Sequence, residues 1–178
     1  MISIDTNILF HAWARDSSNH EPALEWINSI KNDTGIAVSE FVRTEFYRLL
    51  RNPVLLKHPL SGAKAVDVIQ SYREHPRWRL IGFPNGGRTF HEQIWEKARE
   101  RGFAFRRIYD VRFGFTLIAQ GVTELATVNV KDFQTLGSVV SGIRLKNTDR
   151  NDEQPLMLQF ADGRIRVTAM RLGLIWSP

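Results

Sequence analysis

The 178-residue sequence contains no cysteine. This absence excludes disulfide bonds, catalysis by a thiolate and cysteine-based zinc sites, and it fits a cytoplasmic protein. No apolar run approaches the roughly 20 residues that a helix needs to cross a bilayer. The first residues also lack the basic segment followed by an apolar one that is typical of a secretion signal. We therefore expect a cytoplasmic protein with no membrane partner.

Internal repeats and low-complexity tracts are also missing, and the five histidines form no close pair of the kind that binds metal. Hydrophobic residues make up 43% of the chain and charged residues 24%, which is ordinary for a globular protein. The length predicts one main domain with a real core. The net charge of +5 and the pI near 9.9 favour a polyanionic partner, most simply nucleic acid.

The first ten residues carry the strongest local pattern. Ile2 and Ile4 flank a serine and lead directly into Asp5, which predicts a short buried strand with an acid at its end. Thr6 and Asn7 then turn the chain into a helix. Ligands of open α/β sheets bind beyond the carboxyl ends of the strands, although an acid here can also simply cap the next helix.

Strand-like and helix-like patterns alternate along the rest of the chain. Further strands are predicted at 36–38, 79–83 and 124–128, and helices at 22–31, 40–51, 63–74, 89–101 and from 109 to a stop at Gly121. Residues 103–109 read as a loop. This alternation predicts an α/β fold of three layers (α/β/α) around a mostly parallel central sheet of four to five strands.

The end of the chain has a different pattern. A polar stretch at 146–155 separates the α/β pattern from two β-like runs around Ala161, Asp162 and Gly163, which suggest a hairpin. We therefore predict a main domain at 1–145 and a C-terminal extension at 146–178, whose role the sequence does not indicate.

Three acids stand out by their positions. Asp5 ends a strand, Glu45 shares a predicted inward helix face with Phe41 and Leu49, and Asp110 lies in the first turn of a helix. Asn129 or Asp132 follows the last strand. In a parallel sheet these groups can meet at one edge, and clustered carboxylates persist mainly where a cation neutralises them. Oxygen ligands favour Mg²⁺, with Mn²⁺ as a substitute, and such an ion beside a basic surface suits phosphodiester hydrolysis.

Several of these motifs, taken together, resemble a known family. They are Ile4-Asp5-Thr6-Asn7, then Val38-Ser39 with Thr44-Glu45, then Tyr109-Asp110-Val111-Arg112, and finally Ala126-Thr127-Val128-Asn129 with Asp132-Phe133. Their order and their placement on helices and strands are similar to those of PIN-domain nucleases, and more narrowly to the VapC-like ribonuclease toxins of toxin–antitoxin pairs. The resemblance covers roughly the first 140 residues.

The resemblance assigns roles to individual residues. It implies that Asp5 and Asp110 bind the metal directly and that Glu45 binds it or positions the attacking water. Asn129 occupies a place where the family usually has an acid, and Asp132 can assist there, so the number of metal ions stays open. In this resemblance, the side chains that would hold the site in place are those of Thr6, Asn7 and Thr127. Our own candidates for phosphate contacts are the arginines near Asp110, namely Arg106, Arg107 and Arg112.

The activity implied by the resemblance is that of a Mg²⁺-dependent endoribonuclease. Its metal-activated water would leave a 5′-phosphate on the product, and the enzyme would act as a homodimer inhibited by a cognate antitoxin. RNA of the translation machinery is the usual target of such toxins.

Simpler explanations exist for each residue. Glu45 could pair with Arg48 or Arg51, Asp110 could be a helix N-terminal acid favoured by the dipole, and Asp132 could be a turn residue. Two other functions compete. One is an RNA-binding PIN-like module without catalysis, and the other is a phosphatase with a strand-borne aspartate. The second needs an acid where this chain has Asn7.

Overall fold

The computed structural model describes residues 1–128 and, beyond them, two short strands. Its elements in chain order are β1 (Ile2–Ile4), α1 (Thr6–Trp13), α2 (His20–Ile30), β2 (Ile36–Ser39), α3 (Glu40–Leu50), α4 (Gly62–Arg73), β3 (Arg79–Ile81), α5 (Gly87–Ala98), α6 (Arg107–Ala119), β4 (Glu124–Thr127), β5 (Leu156–Leu158) and β6 (Arg166–Ala169).

The strands form one sheet in the order β3-β2-β1-β4-β6-β5. Each neighbouring pair runs parallel except β5 and β6, which are antiparallel. All four residues of β2 are buried, so helices cover both faces of the sheet, as buried parallel strands require. The predicted α/β class and mostly parallel sheet are confirmed, and β5 and β6 join the four strands of the first 128 residues.

The register of β1 places the end of this strand at the centre of the sheet. Ile2 lies opposite Ile36 of β2 and Glu124 of β4, and Ile4 lies opposite Ala126. The amide of Asp5 continues this pairing by donating to the carbonyl oxygen of Ala126 at 2.9 Å. The carboxyl ends of the neighbouring strands β1 and β4 therefore lie side by side.

Polar residues at the strand ends start the helices that follow. Asp5 caps α1, and the hydroxyl of Ser39 accepts a hydrogen bond from the amide of Val42 at the start of α3. Gly121 adopts a φ of 74° just after α6, the left-handed conformation that ends a helix. Because β1 is followed directly by the cap residue Asp5 and then by α1, the side chain of Asp5 lies at the carboxyl end of the strand.

The core lies between the sheet and its helices. Its largest fully buried side chains include Ile4, Ile8, Leu9, Ile36, Phe46, Leu50, Leu117 and Leu125. Burial of each such side chain contributes roughly 1.5–3 kcal/mol to folding. This core fixes α1, α3 and α6, the helices that carry the candidate site residues, against the sheet.

Some predicted boundaries need correction. Helix α6 begins at Arg107, so Arg107 belongs to its first turn and not to the predicted loop. Helix α5 ends at Ala98, three residues before the predicted end, and β3 stops at Ile81. The predicted domain boundary between residues 145 and 146 lies outside the described residues. No helix within the described part of the chain is long and apolar enough to cross a membrane.

Candidate active site

Asp5 is buried at the carboxyl end of β1, with 9% of its surface exposed, and three donors hold its carboxylate. Oδ1 accepts from the backbone amide of Thr6 at 2.7 Å. Oδ2 accepts from Nδ2 of Asn7 at 2.7 Å and from the hydroxyl of Thr127 at 2.5 Å. These donors fix the orientation of the carboxylate from two elements, α1 and β4.

Asn7 joins the start of α1 to the end of β4. Its Nδ2 also donates to Oγ1 of Thr127 at 3.1 Å, and its Oδ1 accepts from the backbone amide of Val128 at 3.4 Å. Asp5, Asn7 and Thr127 thus form a closed triangle of hydrogen bonds. A side chain in such a network loses most of its rotamer freedom, so Asp5 is held ready in one position.

Glu45 reaches the same place from α3. The hydroxyl of Thr6 donates to its Oε2 at 2.8 Å, so Thr6 binds Asp5 through its backbone and Glu45 through its side chain. The other oxygen, Oε1, lies 3.5 Å from Nη2 of Arg48. Both the predicted approach to Asp5 and the alternative ion pair with Arg48 are therefore present.

The predicted inward face around Glu45 is wrong. The buried face of α3 consists of Val42, Phe46 and Leu50, whereas half of the Glu45 side chain, 51%, is exposed. The carboxylate of Glu45 therefore faces solvent at the rim of the site while Asp5 lies beneath it.

Asp110 lies in the first turn of α6, half-buried, and acts on Asp5 electrostatically. Burial raises the pKa of Asp5 to about 6, the hydrogen bonds from Thr127 and the Thr6 amide oppose this rise, and the charges of Glu45 and Asp110 add to it. Desolvation and like charges both disfavour a carboxylate. The three predicted acids therefore share one electrostatic neighbourhood.

The donor chemistry of this neighbourhood suits a hard cation, because all three side chains offer carboxylate oxygens. In the described part of the chain, however, no three acidic or histidine side chains are already arranged closely enough to hold a metal ion. Asn129 and Asp132, the predicted fourth position, lie outside the described residues. Burial is the main cause of the raised pKa of Asp5, and the charges of Glu45 and Asp110 add to it. A cation placed among these acids would favour the charged form of Asp5.

The three predicted phosphate-binding arginines differ in their surroundings. Arg106 is exposed, with its guanidinium 5.5 Å from the centre of the Phe105 ring. Arg107 is half-buried and lies 5.7 Å from the Phe103 ring. Arg112 is enclosed between two rings, and its Nε is buried without a hydrogen-bond partner in the described residues.

Two features of the structure were not predicted. Phe105 and Tyr109 are 81% and 69% exposed close to Asp110, and the sequence signal for them was the alternation of aromatic residues and arginines from 103 to 112. A groove of about 1200 Å³ also lies between the α1–α2 connection and the segment after α3. Its apolar lining consists of Phe10, Trp13, Leu24, Leu55 and Leu56.

Comparison with known proteins gives a consistent result. A family model described as PIN domain matches residues 2–128. Ribonuclease VapC24 of Mycobacterium tuberculosis is 37% identical over 137 residues, which are 77% of this chain and 92% of that protein. The level of identity and the coverage are sufficient to show common family membership.

Solved structures share the fold at lower identity. The crystal structure of Mycobacterium tuberculosis VapC20, a Sarcin-Ricin loop cleaving toxin, has a TM-score of 0.57 and 17% identity, and covers 77% of this chain and 95% of that chain. VapBC2 from Rickettsia felis, bound to a DNA fragment from its promoter, has a TM-score of 0.53 and 19% identity, with coverage of 76% and 92%. The family model and the relative at 37% identity show that the chain belongs to the PIN-domain family, and within it to the VapC-like group.

Proposed function

We propose that this protein is a Mg²⁺-dependent endoribonuclease and the toxin of a toxin–antitoxin pair. The observation that carries the proposal is the buried carboxylate of Asp5, which three donors hold in place while the charges of Glu45 and Asp110 act on it. A protein gains no stability from placing three acids together, and such sites are common where chemistry needs them. The 37% identity to a ribonuclease supports RNA as the substrate.

The residues present can divide the work of hydrolysis. Asp5 and Asp110 are the proposed direct ligands of Mg²⁺, with Glu45 as a third ligand or as the residue that positions a water for attack. When bound, the ion would offset the negative charge that develops on the scissile phosphate. Thr6, Asn7 and Thr127 position Asp5 through the hydrogen bonds described above. Arg106, which is exposed and lies four positions before Asp110 in the chain, is suited to contact the RNA backbone.

Glu45 also has the exposure that a water-positioning residue needs. Its Oε2 is held by Thr6, and half of the side chain is open to solvent. A carboxylate with one oxygen fixed can accept a proton or a hydrogen bond from a water on its open side. Asn129 and Asp132 remain the proposed fourth position of the site.

The decisive experiment measures cleavage of total RNA by the purified protein in Mg²⁺, in EDTA, and by the Asp5→Asn variant. We expect cleavage that requires the metal and is lost in the variant, with 5′-phosphate ends on the products. Asp67→Asn, which removes an exposed acid on α4, is the matched control and should cleave normally. RNA that is bound but never cut would favour a non-catalytic binding module. If the protein neither binds nor cleaves RNA, the proposal is refuted.

The proposed partner is a cognate antitoxin. The Rickettsia felis neighbour is a VapBC assembly, and the apolar groove near α1 has the character of a surface that accepts an amphipathic helix. Leu55→Glu should then prevent inhibition by the antitoxin and leave cleavage unchanged. Val54→Glu is the control, because Val54 is more exposed than Leu55 but does not line the groove.

A homodimer in the cytoplasm completes the proposal, since cellular RNA and its translation machinery are found there. Trp95 on α5, with 54% of its surface exposed, is a candidate for the contact between two copies. Light scattering of the purified protein measures its mass directly, and a monomer at micromolar concentration would contradict the dimer.

A further inference from the structure

The segment from Phe103 to Arg112, which leads from α5 into α6, presents aromatic rings to solvent. Phe105 is 81% exposed and Tyr109 is 69% exposed. An exposed aromatic ring forgoes the burial energy that most such side chains gain. Two of them within five residues, one directly before Asp110, are better explained by a binding partner than by folding.

Arginines accompany the rings in this part of the molecule. The guanidinium of Arg106 lies 5.5 Å from the centre of the Phe105 ring. Farther along α6, Arg112 lies 4.3 Å from the Phe41 ring and 4.9 Å from the Phe83 ring. Contacts of this kind hold the cation and the ring in a defined relation at small cost. The exposed pair of Phe105 and Arg106 therefore offers a flat apolar face beside a positive charge, whereas Arg112 is enclosed between its two rings.

The charge of this surface distinguishes between partners. Residues 99–112 contain five arginines and two acids, Glu100 and Asp110, and Glu100 is already paired with Lys97. Arg106 and Arg112 form no ion pair with any carboxylate in the described residues. An apolar protein surface would have to desolvate the exposed guanidinium of Arg106 without compensation. A polyanion with flat apolar groups satisfies both the charges and the rings.

We propose, on the basis of the ribonuclease activity proposed above, that Phe105 and Tyr109 stack on unpaired bases of the RNA substrate. They are thus specificity-determining residues that select single-stranded segments. Only unpaired bases offer an open face to a ring, because the faces of bases in a duplex are covered by their neighbours. Arg106 contacts the backbone between the stacked bases, and Tyr109 places the strand next to Asp110.

The test measures binding of fluorescent RNA to the full chain by anisotropy, with EDTA present so that no cleavage occurs. Phe105→Ala and Tyr109→Ala should each weaken binding of a single-stranded oligonucleotide about tenfold, a typical effect of losing one stacked base. Phe105→Trp and Tyr109→Phe keep a ring and should bind like the parent. Val66→Ala on α4, also an exposed apolar residue at 45%, is the matched control.

Salt dependence and a duplex probe separate stacking from charge. The ring variants should keep the parent's slope of affinity against salt concentration, whereas Arg106→Gln should reduce it. A duplex of the same sequence should bind all ring variants equally. If the parent cuts RNA and both alanine variants bind single strands as well as the parent does, the stacking role is refuted while the proposed nuclease activity stands. Loss of self-association in these variants, with RNA binding unchanged, would also overturn it.

Discussion

The hydroxyl of Thr127, the last residue of β4, donates to Oδ2 of Asp5 at 2.5 Å. The two residues are 122 positions apart in the chain, and the parallel pairing of β1 with β4 brings them together. This hydrogen bond lowers the pKa of Asp5, against the larger effect of burial. Thr127 therefore both orients the carboxylate and favours its charged form.

Replacing Thr127 by valine removes the hydroxyl and keeps the shape of the side chain. We expect a loss of about 10- to 100-fold in metal affinity or activity, because the residue supports a proposed metal ligand. Thr127→Ser retains the donor and should stay within a fewfold of the parent. The measurement is cleavage rate against Mg²⁺ concentration. Equal curves for the valine and serine variants would show that the hydroxyl has no positioning role.

Glu45 takes part in two interactions whose importance can be separated. Its ion pair with Arg48 is 3.5 Å long and half or more exposed on both sides, so it contributes at most about 1 kcal/mol to stability. Arg48→Gln should therefore leave the melting temperature and the cleavage rate nearly unchanged. Glu45→Gln should also melt normally and yet cleave RNA about 100-fold more slowly. Comparable cleavage rates in the two variants would reduce Glu45 to a surface ion-pair partner.

The sequence predicted the fold and the central acid because both depend on local patterns. Alternating strands and helices indicate a parallel sheet, and the run from Ile2 to Thr6 marks a strand end wherever it lies. The position of Thr127 beside Asp5 depends on the order of strands in the sheet. Local sequence does not contain that order, and the resemblance to a family supplied it.

One wrong prediction, the inward face of α3, and one feature that was not predicted, the exposure of two aromatic rings, show where periodicity fails. The face of α3 was derived from Phe41 and Leu49, which are only half-buried, whereas the buried stripe runs one residue later through Val42, Phe46 and Leu50. Two overlapping apolar stripes cannot be ranked from sequence, because the packing of the helix on the sheet decides between them. Exposure of Phe105 and Tyr109 depends on tertiary neighbours in the same way.

The titration of Asp5 gives a pH-dependent prediction for the metal-free protein. Burial raises the pKa of Asp5 from 3.8 to about 6 in the folded state, so the folded protein binds this proton more tightly than the unfolded chain. The free energy of unfolding contributed by Asp5 therefore falls as the pH rises from about 4 to about 6. The change is about 3 kcal/mol at most, from two pKa units at 1.36 kcal/mol each.

Comparison with Asp5→Asn isolates this effect, because asparagine does not titrate. The parent should lose stability relative to the variant between pH 4 and pH 7, as measured by urea unfolding in EDTA. Asp67→Asn, an exposed replacement on α4, controls for the loss of one charge. If the difference in the free energy of unfolding between the parent and Asp5→Asn stays constant across this range, burial does not raise the pKa of Asp5.

Two serines in neighbouring strands provide a matched test of buried hydroxyls. Ser3 of β1 and Ser39 of β2 are both fully buried. The hydroxyl of Ser3 has no hydrogen-bond partner in the described residues, whereas that of Ser39 accepts from the amide of Val42 at 3.2 Å and caps α3. Burial of an unpaired hydroxyl costs free energy, and loss of a helix cap costs about 1 kcal/mol.

Ser3→Ala should therefore keep or raise the free energy of unfolding, and Ser39→Ala should lower it by about 1 kcal/mol. Neither serine is hydrogen-bonded to Asp5. Ser39→Ala, however, removes the cap at the start of α3, the helix that carries Glu45. We thus expect cleavage to be normal in the Ser3 variant and moderately reduced in the Ser39 variant. Urea unfolding and cleavage rates measured on the same preparations test both expectations. Destabilisation by Ser3→Ala would indicate that its hydroxyl has a partner in the folded protein.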